Sequence, residues 1–281
     1  MTAAPRFATI NETLGLDDAQ LGLADLALLL ARDAYPELDV AHYLARLDEM
    51  AMEARANLPA KADVFVTLAA LNRYLFTEQG FKGNFDDYYD PRNSYLNEVL
   101  DRRTGIPITL SLVYIEVGRR LGLSLDGVSF PGHFLVKCSV DGGDVVLDPY
   151  SGGVSLGTDE LEHRLSDVVG EKHAARINLA DVLGAAPTRD ILVRMLHNLK
   201  AVYMRDEELH KALQISGRVL QLKPGSSDDL RDRGVLYAAL DCFRPALDDL
   251  RRYLKLRPNA ADADDIRERV IQLQGRVAQL H

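Results

Sequence analysis

Apolar residues recur every three or four positions over much of the chain, which is the spacing of one buried face of an α-helix. Three such stretches open the sequence, at residues 12–34, 39–57 and 62–77. The apolar side of the third stretch is formed by Phe65, Leu68, Leu71 and Leu75. The pattern therefore predicts a helical N-terminal region in which those side chains are buried.

A helix with hardly any polar face is predicted to begin at Pro107 and to end at Gly122. Proline suits a first helical position, because its fixed φ matches the helix and its missing N–H would have no partner there. Glycine is typical of the position just past a helix end. The apolar residues between them are Ile108, Leu110, Leu112, Val113, Ile115, Val117 and Leu121. We expect this helix to be buried on most sides.

Two short runs rich in β-forming residues follow this helix, at 133–140 and 145–148. Asp141-Gly142 between them favours a two-residue type I′ turn. That turn places His133 diagonally from Asp148 on the same face of the sheet, within about 7–8 Å by the usual cross-strand spacing. The sequence thus predicts a histidine and a carboxylate brought together by a β-hairpin.

A loop rich in glycine, aspartate and tyrosine precedes Pro91. Its tyrosines, Tyr88 and Tyr89, either line a groove or pack against the core beneath the loop, and we favour the packing. Asn93 and Asn97 then lie four residues apart on one predicted helix face. Their amides could hold a ligand, but hydrogen bonding to nearby backbone is the commoner role of such residues.

The clearest linker in the chain is Gly184 to Thr188, and Thr188 is a candidate cap for the helix that follows. We therefore divide the chain into two domains, residues 1–183 and 188–281. Upstream of the linker, a helix is predicted at residues 159–170. Its buried positions are expected to be Leu161, Leu165 and Val168.

Beyond the linker the sequence repeats with a period of 34 residues. The matching pairs are Tyr203/Tyr237, Ala212/Ala246, Leu213/Leu247, Leu220/Leu254, Leu222/Leu256 and Pro224/Pro258. This pattern indicates tetratricopeptide helix pairs, in which the small Ala allows close helix approach and the Pro ends the second helix. Since stacked repeats usually need a third unit, we expect a helix at about 262–280 to cap the array.

The composition is that of an ordinary soluble globular protein, with 27% charged and 47% hydrophobic residues. Its net charge of −9 argues against nucleic acid or an anionic membrane as a partner. No stretch has the length of a membrane helix, and the first residues lack an apolar signal core, so we expect a cytoplasmic protein. The two cysteines, Cys138 and Cys242, imply no disulfide framework.

Three motifs of the first domain are distinctive: Asn93-x-Tyr95-Leu96-Asn97-x-Val99-Leu100-x-Arg102-Arg103-x-Gly105-Ile106-Pro107, Arg119-Arg120-Leu121-Gly122 and Phe130-Pro131-Gly132-His133-Phe134. They resemble the SirB1 family, in which a transglutaminase-like domain is followed by tetratricopeptide repeats. The order of buried helix, histidine strand and Asp-Pro strand is also similar to the transglutaminase-like core, a branch of papain-like Cys-His-Asp chemistry. The resemblance implies a mostly α fold with a small antiparallel β-sheet (α+β), namely a transglutaminase-like (papain-like) domain plus C-terminal tetratricopeptide helical repeats.

The resemblance also implies a catalytic set from which one member is missing. His133 and Asp148 match the histidine and the aspartate of the family. The nucleophilic cysteine of the active superfamily lies at the start of the buried helix, where this chain has Pro107. Cys138 lies five residues after His133 and so faces the other side of the sheet, and Cys242 lies in the repeats.

Three hypotheses for the function follow. The leading one is a non-catalytic protein whose ancestral groove and repeats bind a protein or peptide partner. The second is an amide or ester hydrolase in which His133 and Asp148 activate a water or Ser111, one turn into the buried helix. The third is a structural subunit of a larger assembly. We expect neither cofactor nor metal, because His133, His163 and His173 lack ligand spacing.

Overall fold

A computed structural model of the chain describes residues 5–56 and 58–279. The chain divides into two compact units, Met1–Leu192 and Val193–His281. Our division at residues 183 and 188 stays a prediction. The helices that precede the sheet of the first unit are α1 (Leu23–Ala31), α2 (Val40–Ala56), α3 (Val64–Asn72), α4 (Leu96–Arg102) and α5 (Pro107–Arg120). Those that follow it are α6 (Thr158–Val169) and the short α7 (Glu171–Ala174) and α8 (Leu179–Val182).

Helix α5 is the buried helix that the sequence predicts. Pro107 occupies its first position, and every residue from Pro107 to Ile115 is buried. The helix is terminated by Gly122, which lies two residues past Arg120 and has a φ of +95°. The N–H of Gly122 donates to the carbonyl of Arg119 and the N–H of Leu123 to that of Gly118, each at 3.0 Å. This is the Schellman arrangement, and glycine adopts its left-handed position without strain.

A four-stranded antiparallel sheet in the order β3-β4-β5-β6 lies against α5. Its strands are β3 (Leu125–Val128), β4 (Leu135–Val140), β5 (Gly143–Asp148) and β6 (Val154–Leu156). In the central hairpin, Val140 pairs with Gly143 and Val136 pairs with Leu147. The register predicted from a two-residue loop is therefore confirmed. A separate parallel pair joins β1 (Lys82–Gly83) to β2 (Thr104–Gly105).

The details of the predicted hairpin need correction. Strand β4 begins at Leu135 and not at His133, because the chain turns at Gly132, where φ is +68°, and the His133 N–H donates to the Phe130 carbonyl. Strand β5 begins at Gly143, earlier than expected. The turn is not type I′, since that type needs a positive φ at both central residues and only Gly142, at +92°, has one.

Two side chains that were expected to be buried are exposed. Phe65 is 60% exposed and Val168 is 53% exposed. Phe65 lies in the first turn of α3 and Val168 in the last turn of α6, where each helix extends past the core. The apolar spacing identified the faces of these helices correctly, but it carries no information on where along the helix the core ends.

The cap of helix α9 (Thr188–Arg205) comes from a residue far away in sequence. Thr188, the predicted cap, is the first helical residue. Its N–H and that of Arg189 donate to the carboxylate of Asp18, at 2.6 and 2.9 Å. The predicted role of Thr188 is therefore wrong, because Asp18 supplies the acceptor and the negative charge at this helix start.

The second unit shows the period of 34 residues in its backbone. Its further helices are α10 (Leu209–Leu222), α11 (Ser227–Ala239), α12 (Phe243–Leu256) and α13 (Ala263–Gln279). Glu207 and Asp241, 34 residues apart, have positive φ values of +58° and +54°. The next residue in each case donates its N–H at 2.8 Å, Glu208 to the Tyr203 carbonyl and Cys242 to the Tyr237 carbonyl. The predicted helical repeats are confirmed.

Helix α13 caps this array, as expected. Its side chains Ile266, Val270 and Leu273 form one apolar cluster with Ala246 and Leu250 of α12. The last residue of the predicted helix, Leu280, lies outside the described residues. Across the described parts of the chain, we find no helix with both the length and the apolar character needed to span a membrane.

Candidate functional site

The hairpin brings His133 and Asp148 into direct contact. Nε2 of His133 lies 2.9 Å from Oδ1 of Asp148. His133 lies in the turn before β4 and Asp148 ends β5, so both side chains depend on the register of this hairpin. The imidazole side chain is 21% exposed, whereas the carboxylate is 1% exposed. The imidazole is therefore partly accessible to solvent, and the carboxylate is buried.

Asp148 is held by more groups than the sequence predicts. Its Oδ1 accepts from the N–H of Tyr150 at 3.1 Å, and its Oδ2 accepts from the hydroxyl of Ser151 and from Nη1 of Arg164, each at 2.9 Å. Burial raises the pKa of Asp148, but the hydrogen bond and charge of His133, with the hydrogen bonds of Arg164 and Ser151, outweigh it and lower the pKa to about 2. The carboxylate is therefore ionised at neutral pH.

Arg164 is a site residue that the sequence analysis missed. It lies on α6, where its Nε also contacts Glu160 at 2.8 Å. The i, i+4 spacing of Glu160 and Arg164 indicates only an ordinary helix ion pair, so nothing in the sequence points to Asp148. Ser151 could have been found, because a hydroxyl three residues after an aspartate often closes a local turn.

The start of α5 offers no nucleophile to the imidazole. Ile106, Pro107 and Ile108 are buried hydrocarbon side chains. The hydroxyl of Thr109 donates to the Asn93 carbonyl at 2.7 Å and accepts from the Ile106 N–H at 3.1 Å, so it closes the first turn of the helix. The described residues at the start of α5 therefore provide no thiol and no unengaged hydroxyl.

Ser111 lies close to the histidine segment but is sealed in the core. Its side chain is fully buried, and its hydroxyl donates to the Phe134 carbonyl at 3.5 Å. This contact places the early turns of α5 against the residue that follows His133. A substrate would reach the Ser111 hydroxyl only if the core opened.

Neither cysteine is in a position to replace the missing thiol. Cys138 is fully buried in β4, where its sulfur lies 3.8 Å from the Ser139 carbonyl. Burial and the charge of Asp144 raise the pKa of the Cys138 thiol, which makes the reactive thiolate scarcer. Cys242 is exposed and precedes α12 in the second unit.

Aromatic side chains lie at the surface beside His133. The Tyr150 ring centroid is 5.9 Å from that of His133 and 4.8 Å from that of Phe85, which is 73% exposed. Tyr88 and Tyr89 are also exposed and meet edge to face at 5.3 Å. The expectation that these tyrosines pack beneath their loop is wrong. We call Phe85, Tyr88, Tyr89 and Tyr150 the aromatic rim.

The loop that carries the rim is held by a buried asparagine. Nδ2 of Asn93 donates to the carbonyls of Asp87 and Tyr88, at 2.8 and 3.2 Å, and its Oδ1 accepts from Asn84 at 3.1 Å. The predicted structural role of Asn93 is confirmed. However, Asn93 lies in a separate 3₁₀ turn before α4 and does not share a helix face with Asn97. The buried Oδ1 of Asn97 accepts no hydrogen bond from any residue that the structure describes.

Two further contacts fix the rim. Asp90, at the end of the loop, forms ion pairs with Arg92 at 2.8 Å and with Arg102 at 3.2 Å. Burial raises the pKa of Asp90, but the hydrogen bonds from Arg92 and the charges of both arginines outweigh it and lower the pKa. At the other end, a Cβ on Gly83 would lie 2.5 Å from the Tyr150 ring, so only glycine allows Tyr150 its position.

Comparison with known proteins assigns the chain to a family. Residues 41–197 match the transglutaminase-like superfamily, and residues 199–270 match a tetratricopeptide repeat. The chain belongs to the transglutaminase-like superfamily. The architecture that the resemblance implied, a transglutaminase-like domain followed by tetratricopeptide repeats, is confirmed.

Relatives of this transglutaminase-like protein share most of its length. A UPF0162 protein of Xylella fastidiosa is 44% identical over 271 residues, which cover 96% of each chain. The UPF0162 protein YchA of Escherichia coli is 29% identical over 257 residues, or 91% of this chain and 93% of that protein. The human F-box only protein 21 is 35% identical over 147 residues, or 50% of this chain and 22% of that protein. No solved structure matches.

The chemistry open to this transglutaminase-like domain follows from these positions. An ionised Asp148 fixes the orientation of the His133 imidazole. The aromatic rim provides apolar faces to a ligand at the surface. The first residues of α5 present hydrocarbon, so the described site combines a base and a contact surface without a thiol at the start of that helix.

Proposed function

We propose that this transglutaminase-like protein binds polypeptides without catalysing a reaction on them. One observation carries the proposal: an intact His133–Asp148 pair beside an exposed aromatic rim, with Pro107 where the superfamily has its thiol. Acyl transfer in this superfamily requires a nucleophile next to the imidazole. Without it, substrate contacts remain useful only for binding.

The second unit supports a protein or peptide as the partner. Tetratricopeptide repeats commonly mediate protein interactions, and stacked helix pairs offer an extended surface to a peptide. The net charge of −9 disfavours nucleic acid and anionic membranes as partners. We place the protein in the cytoplasm, where two unpaired cysteines are ordinary.

A structural requirement explains why the histidine and the aspartate persist without a nucleophile. Asp148 is a buried charge whose acceptor positions are occupied by His133, Arg164, Ser151 and the Tyr150 N–H. Removing one partner of a buried charge typically costs about 3–5 kcal/mol, because the remaining charge is left without compensation. His133 therefore contributes to the fold of the hairpin even where it has no proton to transfer.

Selection of peptides from a random library by the immobilised full-length protein tests this function. We expect the protein to retain a set of peptides that the rim variant Phe85→Ala/Tyr88→Ala does not retain. Met52→Ala/Phe65→Ala is the matched control, because those apolar side chains are equally exposed and belong to other helices of the same unit. Equal recovery by the wild type and the rim variant would count against binding at this site.

A hydrolase is the second candidate, and the state of the pair favours it. Asp148 is ionised, and the imidazole it holds is open to solvent, so His133 could activate a water molecule; Ser111 would first have to become accessible. Fluorophosphonate labelling and a panel of amide and ester substrates distinguish the two functions. Equal labelling and turnover in the wild type and His133→Ala would exclude the hydrolase.

A further inference from the structure

We propose that the aromatic rim receives an arginine side chain of an extended, basic segment of a partner polypeptide. This inference rests on the proposed binding function and specifies the chemistry of the partner at the same site. It starts from the two carboxylates on the rim loop, Asp86 and Asp87, both of which are exposed.

The carboxylates of Asp86 and Asp87 lack a salt bridge or hydrogen bond to any described side chain. Several other surface acids of this unit are paired, among them Asp101 with Arg46 at 2.5 Å, Asp48 with Arg120 at 2.6 Å and Glu78 with Arg73 at 2.9 Å. The arginines that follow the loop, Arg92 and Arg102, are engaged by Asp90, and Lys82, which precedes it, forms no salt bridge with either carboxylate. The rim therefore carries two negative charges that no neighbouring side chain neutralises.

The rings around these charges suit a guanidinium group. The faces of tyrosine and phenylalanine attract cations through the ring quadrupole. A guanidinium is planar and weakly hydrated, so it stacks on such faces while its N–H groups reach a carboxylate, whereas the lysine ammonium is a strongly hydrated point charge. Tyr88 and Tyr89, which directly follow the acidic pair in sequence and meet edge to face, provide rings in two orientations.

The rim is also held in place before any ligand binds. The carbonyls of Asp87 and Tyr88, the residues that present a charge and a ring, accept hydrogen bonds from the buried amide of Asn93. Tyr150 is confined between Gly83 and the rings of Phe85 and His133. Because little ordering remains to be done on binding, a short peptide segment can gain affinity here.

Other occupants fit these charges less well. A purely apolar segment would desolvate Asp86 and Asp87 without giving them a partner, and an acidic segment would be repelled. The net charge of −9 disfavours a second copy of the whole chain. A basic segment is attracted both by the loop and by the protein as a whole.

Charge removal at matched positions tests the proposal on the full-length protein. Peptides that depend on the rim in library selection are resynthesised with citrulline, which keeps the shape of arginine and loses its charge. We compare their binding to the wild type, to Asp86→Asn/Asp87→Asn, and to Glu37→Gln/Glu49→Gln. The last variant loses the same net charge at exposed positions outside the loop.

We expect the rim-dependent peptides to be rich in arginine. Citrulline should weaken their binding to the wild type about three- to tenfold, the range of an exposed cation–π contact combined with an ion pair. The same replacement should weaken binding to Asp86→Asn/Asp87→Asn by a smaller factor than for the wild type, about two- to fivefold, because the rings remain, and Glu37→Gln/Glu49→Gln should behave as the wild type. High salt should weaken the arginine peptides more than the citrulline peptides.

The contrary outcomes separate the two proposals. If rim-dependent peptides lack arginine, or if citrulline binds as well as arginine, the arginine inference fails while the binding function stands. If the rim binds a second copy of the chain instead, concentration-dependent association that Phe85→Ala/Tyr88→Ala abolishes will show it, and the inference again fails. If no peptide depends on the rim, both proposals fail.

Discussion

Nη1 of Arg164 lies 2.9 Å from Oδ2 of Asp148, on the carboxylate oxygen opposite to the one that His133 contacts. One buried carboxylate thus joins the histidine turn to helix α6. Because His133 and Arg164 together keep Asp148 ionised, this carboxylate is a structural link between the hairpin and the helix.

Replacing Asp148 with Asn should remove an acid-dependent part of the stability. The folded-state pKa of about 2 lies below the ordinary value of 3.8, so ionised Asp148 stabilises the fold above the ordinary value. That stabilisation, about 2–3 kcal/mol for a shift of nearly two units, is lost as the pH falls from 3.8 towards 2. Urea unfolding in steps from neutral to acidic pH should show a shallower acid dependence in Asp148→Asn than in the wild type. Asp141→Asn, in the exposed turn of the same hairpin, is the control, and parallel curves for wild type and Asp148→Asn would refute the assignment.

Asn93→Ala should disturb the rim loop more than Asn97→Ala. The first substitution removes the donor to the Asp87 and Tyr88 carbonyls, whereas the buried Oδ1 of Asn97 has no hydrogen bond to lose. Since a buried group left without its partner costs about 1–3 kcal/mol, we expect a larger loss of unfolding free energy for Asn93→Ala. Amide hydrogen exchange over residues 84–90 should accelerate only in that variant. Similar exchange in both variants would show that Asn93 does not hold the loop.

Replacing each of two helical glycines of the repeat unit with alanine should change the free energy of unfolding in opposite directions. A Cβ on Gly234, in α11, would lie 2.8 Å from Leu250 of α12, and overpacking of this kind costs about 1–3 kcal/mol. A Cβ on Gly217, in α10, would meet nothing within 4 Å, so Gly217→Ala should stabilise by about 0.5–1 kcal/mol. Thermal unfolding of the two variants checks both signs, and a stabilising Gly234→Ala would contradict the close packing of α11 on α12.

Pro107→Cys should create a reactive thiol. A cysteine at the first position of α5 would lie at the positive end of the helix dipole, which lowers a thiol pKa, and beside the His133 segment that Ser111 contacts. In a Cys242→Ser background, which removes the exposed native thiol, we expect iodoacetamide to label Pro107→Cys faster than Cys138, because both positions are buried but only the helix start lowers a thiol pKa. Adding His133→Ala should slow the labelling. A rate that does not depend on His133 would show that Pro107 does not occupy the nucleophile position.

The sequence predicts the His133–Asp148 contact because a two-residue turn fixes which positions of a hairpin share a face. The sequence does not predict strands β3 and β6, because neither has a local pattern of its own. They are four and three residues long, too short for an alternating pattern, and they are defined by pairing with β4 and β5. Arg164 was likewise invisible, since its contact with Asp148 arises only when α6 packs near the hairpin.

The aromatic rim shows where a compositional rule fails. Tyrosines are more often packed than exposed, so burial of Tyr88 and Tyr89 was the natural expectation. Their orientation is decided instead by Asn93, Asn84 and Asp90, whose hydrogen bonds and ion pairs hold the loop. Which way a loop faces depends on such tertiary contacts, and residue type alone does not reveal it.

Mass spectrometry of the peptides recovered from the full-length protein tests most directly whether the site binds polypeptides or transforms them. The wild type and His133→Ala are each incubated with peptides selected at the rim, and both the bound and the free fractions are analysed. We expect every peptide to be recovered at its original mass from both proteins. Cleaved or cross-linked peptides that form with the wild type and disappear with His133→Ala would contradict a non-catalytic site.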